Sequence, residues 1–396
     1  MKILSSRFHE RPMAYAAIGA VLAAVGGSVV PHWFAYAACA ASLPLVVFLF
    51  HRRNTAFLLP VALMLVLVRM LLLPTAIPAD SGVGLFLRNL RTGMLNAADA
   101  LFRDEAAAAK GMLLGNTDFL NDVQRAQFAN AGLLHLFAVS GLHVSLLVDV
   151  LGRIAHTRNK AVSYTALALF LLFFCAVTGF SASVLRASFM LLGLRVAKMR
   201  ERQNDPPNAY CFAMAMTLLC DPGSVFRAGF QLSFAAAAGL LLLAKPFRAP
   251  FNNRLPNSKI ITALTASTAA IIGMLPITAY WFGQVAWIAI PLSILLIPTM
   301  PIILLFGFFA ILLYGIFPHV AVVLSYPAYG AIKFLSLVTA SLNVPLLSLP
   351  KPHPIAIVLY YVGLLFSSEL YLKNAKRPPW IGLGLLAVSI VLWFLL

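Results

Sequence analysis

Three polar side chains lie close together in an otherwise strongly apolar part of the sequence. They are His135, Ser140 and His143, and Asp149 follows in the same apolar block. On one helix Ser140 and His143 would share a face, whereas His135 and Asp149 would lie about 21 Å apart along the axis and could not share a metal ion. Two interpretations remain open: these groups join packed helices by hydrogen bonds, or they line a polar path through a membrane.

A second cluster combines a glycine, hydroxyl residues and an arginine. Its members are Thr178, Gly179, Phe180, Ser181, Ser183 and Arg186. We expect one helix to end and another to begin here, and a helix start inside a membrane presents backbone N–H groups to an anion. The alternative is a turn outside the membrane in which Ser181 or Ser183 caps the following helix.

A third cluster follows the turn signal Asp221-Pro222-Gly223. Its further members are Arg227, Phe230, Gln231, Ser233 and Phe234. An arginine that faces lipid at the centre of a membrane helix costs roughly 2.5–3.5 kcal/mol. We therefore expect Arg186 and Arg227 to lie within a helix bundle and to face a polar cavity.

The elements that position these clusters are membrane helices. Hydrophobic residues make up 61% of the 396 residues and charged residues 10%, with a mean hydropathy of +0.91, whereas a typical soluble domain has roughly 25% charged residues. This composition excludes a soluble globular protein and a disordered one. Since a helix needs about 20 apolar residues to cross a bilayer, the sequence predicts an all-α, polytopic membrane helix bundle with about 11–13 transmembrane helices, some broken or re-entrant.

The chain divides into three predicted regions. Residues 1–76 form N-terminal transmembrane helices, residues 77–130 an extracytoplasmic segment, and residues 131–396 the main membrane domain. The predicted spans are 13–30, 33–50, 56–73, 132–151, 162–178, 183–198, 208–220, 226–244, 260–281, 286–315, 319–342, 355–372 and 379–396. Pro291, Pro298 and Pro301 are expected to break the helix within 286–315.

Residues 77–130 differ from the rest of the chain. They hold six of the twelve acidic residues, and no stretch within them is apolar enough to span a bilayer. We expect two short amphipathic helices, which lie on the membrane surface or pack on the bundle. One would cover Asp99 to Lys110, and the other would be capped by Thr117 or Asp118.

The net charge is +17, because 29 lysines and arginines face 12 acidic residues. Basic cytoplasmic loops explain such an excess, and a polyanionic partner such as nucleic acid is the alternative. The four cysteines have no C-x-x-C spacing, so the sequence predicts no zinc site, redox pair or disulfide framework. There is no G-x-x-x-x-G-K-[ST] motif either, so a motor would be a separate protein.

Five motifs occur in an order that resembles the ComEC family, the inner-membrane channels for DNA uptake in natural competence. The main motif runs from Gly132 to His143, and Gly111-Met112-Leu113-Leu114-Gly115 precedes it. The others lie at residues 178–186, 221–234 and 282–285. The resemblance covers roughly residues 106–345 and is to the membrane domain of the family.

The resemblance implies a channel for single-stranded DNA that has no cofactor, no metal and no catalytic residue. Cations would contact phosphates and aromatic rings would contact bases. The candidate phosphate contacts are Arg186 and Arg227, and the candidate stacking or gating surfaces are Phe180, Phe230 and Phe234. The candidate polar lining is His135, Ser140, His143, Ser181, Ser183, Gln231 and Ser233, with Gly141, Gly179 and Gly229 allowing close helix approach.

Two features depart from the family pattern. Residues 74–105 are too few for the OB-type domain that members commonly carry, and the eight histidines never form the H-x-H-x-D-H metal motif of a C-terminal nuclease domain. We therefore expect a multi-pass permease core in the bacterial inner membrane, surrounded by the lipid bilayer. Its expected partners are single-stranded DNA, a separately encoded nuclease, a periplasmic DNA-binding protein and a cytoplasmic motor.

Two other classes of protein remain as alternatives. A secondary transporter for another anionic polymer or metabolite would use the same broken helices and arginines, with Asp149 and Asp221 carrying protons. An intramembrane hydrolase would pair Ser140 with His143. Ala138 argues against the hydrolase, because rhomboid-type sites have a glycine two residues before the serine.

Overall fold

The structure is a computed structural model that describes residues 12–29, 61–62, 65–66, 82–137, 139, 141–154, 160–199, 205–251, 258–342, 346–367 and 380–395. These residues are mostly helical, with three long helices apolar enough to cross a membrane and several shorter apolar ones. The chain is thus an all-α, multi-pass membrane protein, which confirms the predicted fold class. The predicted spans 33–50 and 56–73 lie outside the described residues, apart from short pieces at 61–62 and 65–66.

The helices follow the predicted spans closely wherever the apolar runs are uninterrupted. The first eight are α1 Pro12–Val29, α2 Gly82–Phe102, α3 Ala106–Leu114, α4 Asp122–Asn130, α5 Gly141–Ile154, α6 Lys160–Val177, α7 Ala182–Met199 and α8 Pro206–Cys220. The others are α9 Ala228–Arg248, α10 Lys259–Phe282, α11 Ala289–Ile302, α12 Phe308–Tyr314, α13 Pro318–Ser341, α14 Pro354–Ser367 and α15 Trp380–Leu395. Two short strands, β1 Gln284–Val285 and β2 Leu347–Ser348, pair in antiparallel fashion.

The chain forms two compact units. The first contains Met1–Ala97 and Val139–Phe230, and the second contains Ala98–Ala138 and Gln231–Leu396. In the first unit α1 packs against α8, α8 against α7, and α7 against α5. Ala20 and Ala24 of α1 are fully buried, because small side chains let helix backbones approach closely in a membrane protein. The division into residues 1–76, 77–130 and 131–396 stays a prediction.

Helices α9 and α10 of the second unit meet backbone to backbone. A Cβ placed on Gly239 would lie 2.2 Å from the carbonyl oxygen of Ala269, and one on Gly273 would lie 2.6 Å from the Cα of Gly239. Ala235 and Gly239 are four residues apart, as are Ala269 and Gly273. This spacing of small residues is a typical contact motif between membrane helices. The sequence had predicted close helix approach at three other glycines, Gly141, Gly179 and Gly229.

The prolines within 286–315 bend the helical path without ending it. Pro298 and Pro301 lie inside α11, a π-helical turn covers Ile303–Gly307, and α12 continues from there. The two arms of this path meet at an angle of 50°. Because β1 before it pairs with β2 after α13, the chain returns to its starting level. One bent crossing followed by α13 satisfies this condition, and a re-entrant pair followed by α13 does not.

Residues 82–130 form three helices where the sequence predicted two short ones, and the predicted helix over Asp99 to Lys110 is interrupted by a 3-10 turn at Arg103–Glu105. Helix α2 has 21 residues and ends at a 3-10 turn whose first residue, Arg103, has a φ of 47°. Helix α3 is buried in the second unit, where Leu113 contacts Gly307 of the π-helical turn. The cap of α4 is Asn121, whose side chain accepts the N–H of Gln124 at 2.7 Å; the prediction of Thr117 or Asp118 was wrong.

Candidate functional site

The first unit buries one of the two predicted arginines among three helices. Arg186 lies near the start of α7, is only 9% exposed, and interacts electrostatically with Tyr210 of α8. A Cβ placed on Gly141 of α5 would lie 3.7 Å from Nη2 of Arg186. A guanidinium group, a phenol and a glycine therefore meet in the interior of a membrane helix bundle.

The two predicted histidines do not share one helix. His143 is buried in α5 and only 1% exposed, but α5 begins at Gly141. His135 lies in a separate 3-10 turn of the second unit, where its Nδ1 is 2.8 Å from the carbonyl oxygen of Gly132. The predicted continuous span over 132–151 is therefore wrong. Ser140 lies outside the described residues, so its pairing with His143 stays a prediction.

Gly132 explains why the helix does not start where the sequence predicted. Its φ is +70°, a left-handed conformation that glycine adopts without steric cost. A Cβ there would lie 2.6 Å from the Cβ of Ala289 and 2.8 Å from that of Ala286. The end of α4 is therefore held against the residues that follow β1, within the second unit.

The cluster at 178–186 forms the predicted break between two helices. The Thr178 hydroxyl donates to the Phe174 carbonyl oxygen at 2.7 Å, Gly179 and Phe180 both have positive φ values, and α7 starts at Ala182. The Oγ atom of Ser181 is buried and has no hydrogen-bond partner among the described residues, so it does not cap α7. Ser183 lies inside α7 and is half-buried.

Arg91 of α2 is a neighbour of this break that the sequence analysis missed. A Cβ placed on Gly179 would lie 3.1 Å from Nη1 of Arg91. No local pattern indicates this contact, because Arg91 precedes the break by almost ninety residues. Arg91 also lies before the first of the two short helices that the sequence predicted in this region, so it was not assigned to any element.

Arg227 lies in a different environment from Arg186. Its side chain is 68% exposed, and Nη1 donates to Oδ2 of Asp221 at 2.7 Å. Between them a 3-10 turn covers Pro222–Phe226, and Ser224 donates its hydroxyl to the Asp221 carbonyl oxygen at 2.7 Å. The expectation that Arg227 lies buried within the bundle was wrong, because the turn places it before the start of α9.

The predicted aromatic surfaces also divide. Phe230 and Phe234 on α9 are 5% and 3% exposed, so their rings are packed and not open to bases. Phe180 is 38% exposed. Ser233 is buried, and Gln231 accepts a hydrogen bond from Nε1 of Trp281 at 2.8 Å within the second unit. Gly229 has open space around it, so it provides no close helix contact.

The second unit contains a charged network that the sequence analysis also missed. Lys333 of α13 pairs with Asp104, and its Nζ lies 3.3 Å from Oε1 of Glu105. Tyr329 donates to Asp104 at 2.9 Å, and Ser336 donates to Glu105 at 2.7 Å. The hydrogen bonds from Lys333 and Tyr329 lower the pKa of Asp104, which keeps its carboxylate charged at neutral pH.

The polar residues of α13 in this network recur at helical spacing. Tyr329, Lys333 and Ser336 lie four and three residues apart, so they share one face of the helix. That spacing was a signal in the sequence. The partner carboxylates could not be read from it, because they lie more than 200 residues earlier.

A metal site does not emerge from the geometry. In the part of the chain that the structure describes, no group of three or more histidine, cysteine, aspartate or glutamate side chains is placed to hold a metal ion. Cys175, Cys211 and Cys220, the cysteines among these residues, form no disulfide bond.

Comparison with known proteins agrees with the motifs. ComE operon protein 3 of Bacillus subtilis is 31% identical over 218 residues, which are 53% of this chain and 27% of that protein. Competence protein ComA of Neisseria gonorrhoeae is 26% identical, over 52% of this chain and 32% of its own length. The uncharacterized protein MG316 of Mycoplasma genitalium is 25% identical over 70% of both chains. No solved structure matches this chain.

The chain thus spans about a quarter to a third of the relatives named for competence. The family described as Competence protein matches residues 112–373, about two thirds of the chain. This match contains α4 to α14, the break at 178–181 and the buried Arg186. The chain belongs to the Competence protein family.

Proposed function

We propose that this chain forms a channel for single-stranded DNA in the bacterial inner membrane during natural transformation. The observation that carries the proposal is the buried Arg186 guanidinium inside a membrane helix bundle of the Competence protein family. Two relatives are named for competence. The nuclease, the periplasmic DNA-binding protein and the motor belong to other chains in this proposal.

A strand of DNA carries one negative charge per nucleotide, and bare hydrocarbon excludes such charges. A path therefore needs fixed cations that keep their charge when desolvated. Arginine fulfils this condition, because its guanidinium group stays protonated in proteins and matches the oxygens of a phosphate in a bidentate geometry. A buried arginine is costly in a membrane and marks a path for ions or substrates.

The positions of the carboxylates favour a channel over a proton-coupled transporter. Asp221, a candidate proton carrier, is held in an ion pair with Arg227. Asp149, the other candidate, is exposed on α5. Functional carboxylates of membrane helices usually face the interior of the bundle, so the exposure of Asp149 and the ion pair of Asp221 count against a proton-coupled transporter.

The test is transformation with marked DNA in a host whose single copy of this gene has been deleted. We expect the deletion to abolish transformants and the wild-type gene to restore them. Arg186→Gln should lower the yield about tenfold or more at normal membrane levels, which corresponds to about 1.4 kcal/mol. Arg195→Gln, the same change on the same helix, is the matched control and should restore the yield. An unchanged yield in the deletion strain would refute the proposal.

A further inference from the structure

A second guanidinium group of the first unit packs against the turn between α6 and α7. A Cβ placed on Gly179 would lie 3.1 Å from Nη1, 3.5 Å from Cζ and 3.7 Å from Nη2 of Arg91. The φ of Gly179 is +70°, a left-handed conformation that favours glycine at this position. The arginine thus lies against Gly179, and Phe180 and Ser181 are the next two residues of the same turn.

Two polar atoms of this cluster lack hydrogen-bond partners. Nε of Arg91 and Oγ of Ser181 are both buried, and neither has a partner among the described residues. Most buried polar atoms in proteins are hydrogen-bonded, and a buried donor without an acceptor costs free energy. Both atoms can donate a hydrogen bond, so the cluster is suited to a ligand whose oxygens accept from a guanidinium group and a hydroxyl group.

Phe180 gives the same cluster an aromatic surface. Its φ is 53°, a left-handed conformation that is costly for a bulky side chain. Its ring is 38% exposed, whereas the rings of Phe230 and Phe234 are packed. Phe180 is therefore an exposed aromatic side chain in the turn that contains Ser181 and that Arg91 contacts at Gly179.

We propose that Arg91, Ser181 and Phe180 hold one nucleotide of the transported strand. The phosphate accepts hydrogen bonds from the Arg91 guanidinium and the Ser181 hydroxyl, and the base stacks on the Phe180 ring. The inference rests on the proposed function and names the residues that contact the strand. The site is indifferent to base identity, because every base has an aromatic face.

Binding of a fluorescent oligodeoxythymidine to the full-length protein in nanodiscs of neutral lipid tests this site. Arg91→Gln should weaken binding and lower the dependence of log K on log salt by about 0.7, the change for one phosphate of a single strand. Phe180→Leu should weaken binding about 5- to 150-fold, and Phe180→Tyr should restore most of it. Arg88→Gln, an exposed residue on the same helix, should change neither quantity.

An abasic strand separates the two contacts. Phe180→Leu and wild type should bind it equally, because no base is present, while the Arg91→Gln defect should persist. If Phe180 had only a structural role, Phe180→Leu would weaken binding of the normal strand and of the abasic strand alike. That result would overturn the inference. A parallel assay with nanodiscs that contain anionic phosphatidylglycerol tests for a lipid. An Arg91→Gln variant that binds the oligonucleotide normally in neutral lipid and loses binding of phosphatidylglycerol would also overturn the inference, since the site would then hold a lipid headgroup.

The failure of this site is distinguishable from failure of the channel. Normal binding by Arg91→Gln and Phe180→Leu, with a wild type that binds DNA, overturns the site and leaves the proposed function standing. A wild type that binds no oligonucleotide overturns both.

Discussion

The buried cationic side chains of the two units have different neighbours. In the second unit Lys333 is paired with Asp104 and Glu105, and Lys110 lies 2.6 Å from Asp99. In the first unit Arg227 is also paired, with Asp221, but Arg91 lies beside Gly179 of the turn between α6 and α7, and Arg186 lies beside Gly141 of α5. The buried lysine of the second unit therefore lies beside a carboxylate, whereas the buried arginine of the first unit lies beside a glycine and a phenol.

This difference separates a supporting role from a binding role. Removing one partner of a well-solvated carboxylate is cheap, but Glu105 has a side chain that is only 6% exposed and relies on Lys333 and Ser336. A buried carboxylate that loses its cation is destabilising. We infer that Lys110 and Lys333 of the second unit stabilise the fold and propose that Arg91 and Arg186 of the first unit contact substrate.

The contacts around Gly239 and Gly273 of the second unit are closer than those around Gly141 of the first unit. Gly239 and Gly273 of the second unit allow a backbone contact that no other residue fits. Around Gly141 of the first unit the nearest side-chain atoms would be 3.7 Å from an added Cβ, which is an ordinary contact distance. The contact between α9 and α10 is therefore tightly packed at these two glycines, whereas there is room beside Arg186 at Gly141.

The largest expected effect is that of Gly273→Val. The first atom added would lie 2.6 Å from the Cα of Gly239 and 2.7 Å from the carbonyl oxygen of Ala235. Since neither backbone can yield, we expect the free energy of unfolding to fall by more than the roughly 1–3 kcal/mol that is typical of overpacking. Little folded protein should then be present in the membrane. Fluorescence-detected size exclusion measures this, with Gly229→Val as the control in open space. Normal levels of Gly273→Val would show that α9 and α10 do not pack as described.

His143→Gln should abolish transport and leave the membrane level normal. An interhelical hydrogen bond in a membrane protein contributes only about 0.6 kcal/mol on average, so the bundle should survive the change. A residue of the path depends on the shape and protonation of its imidazole, which glutamine does not reproduce. Transformation yield and immunoblots of membranes measure the two quantities. Normal transport at normal levels would return His143 to a packing role.

Lys333→Met should lower the amount of folded protein severalfold by leaving Glu105 buried beside an apolar side chain. The compensating triple variant, with Asp104→Asn and Glu105→Gln added, should recover much of that loss. Thermal unfolding followed by size exclusion compares the single and triple variants. If both are equally unstable, charge balance is not what Lys333 provides.

The smallest expected effect is that of Gly141→Ala. The added methyl group fits at 3.7 Å from Ala187 and from Arg186, and alanine favours a helix over glycine by about 1 kcal/mol. We expect unchanged or slightly raised stability and transport close to wild type. A strong transport defect in this variant would mean that the space beside Arg186 is itself needed by the substrate.

The helices themselves were predictable, because a membrane span is a local property of about 20 residues. The bounds of α1, α6, α7, α8, α10, α13 and α15 lie within two residues of the predicted spans. The break at 178–181 was predictable for a similar reason, since glycine and hydroxyl residues act on their own backbone. The prediction at 132–151 was wrong because it relied on hydropathy alone, and the left-handed Gly132 ends the helical path there.

The sequence by itself therefore determined the membrane bundle, the family and the polar clusters, which depend on composition and on residues close together in the chain. Only the tertiary structure decided which cations are paired with acids and which lie at the candidate site. Asp104 meets Lys333 across 229 residues, and Arg91 meets Gly179 across almost ninety. Such contacts depend on how distant helices pack, and no local pattern of apolar and polar residues encodes that arrangement.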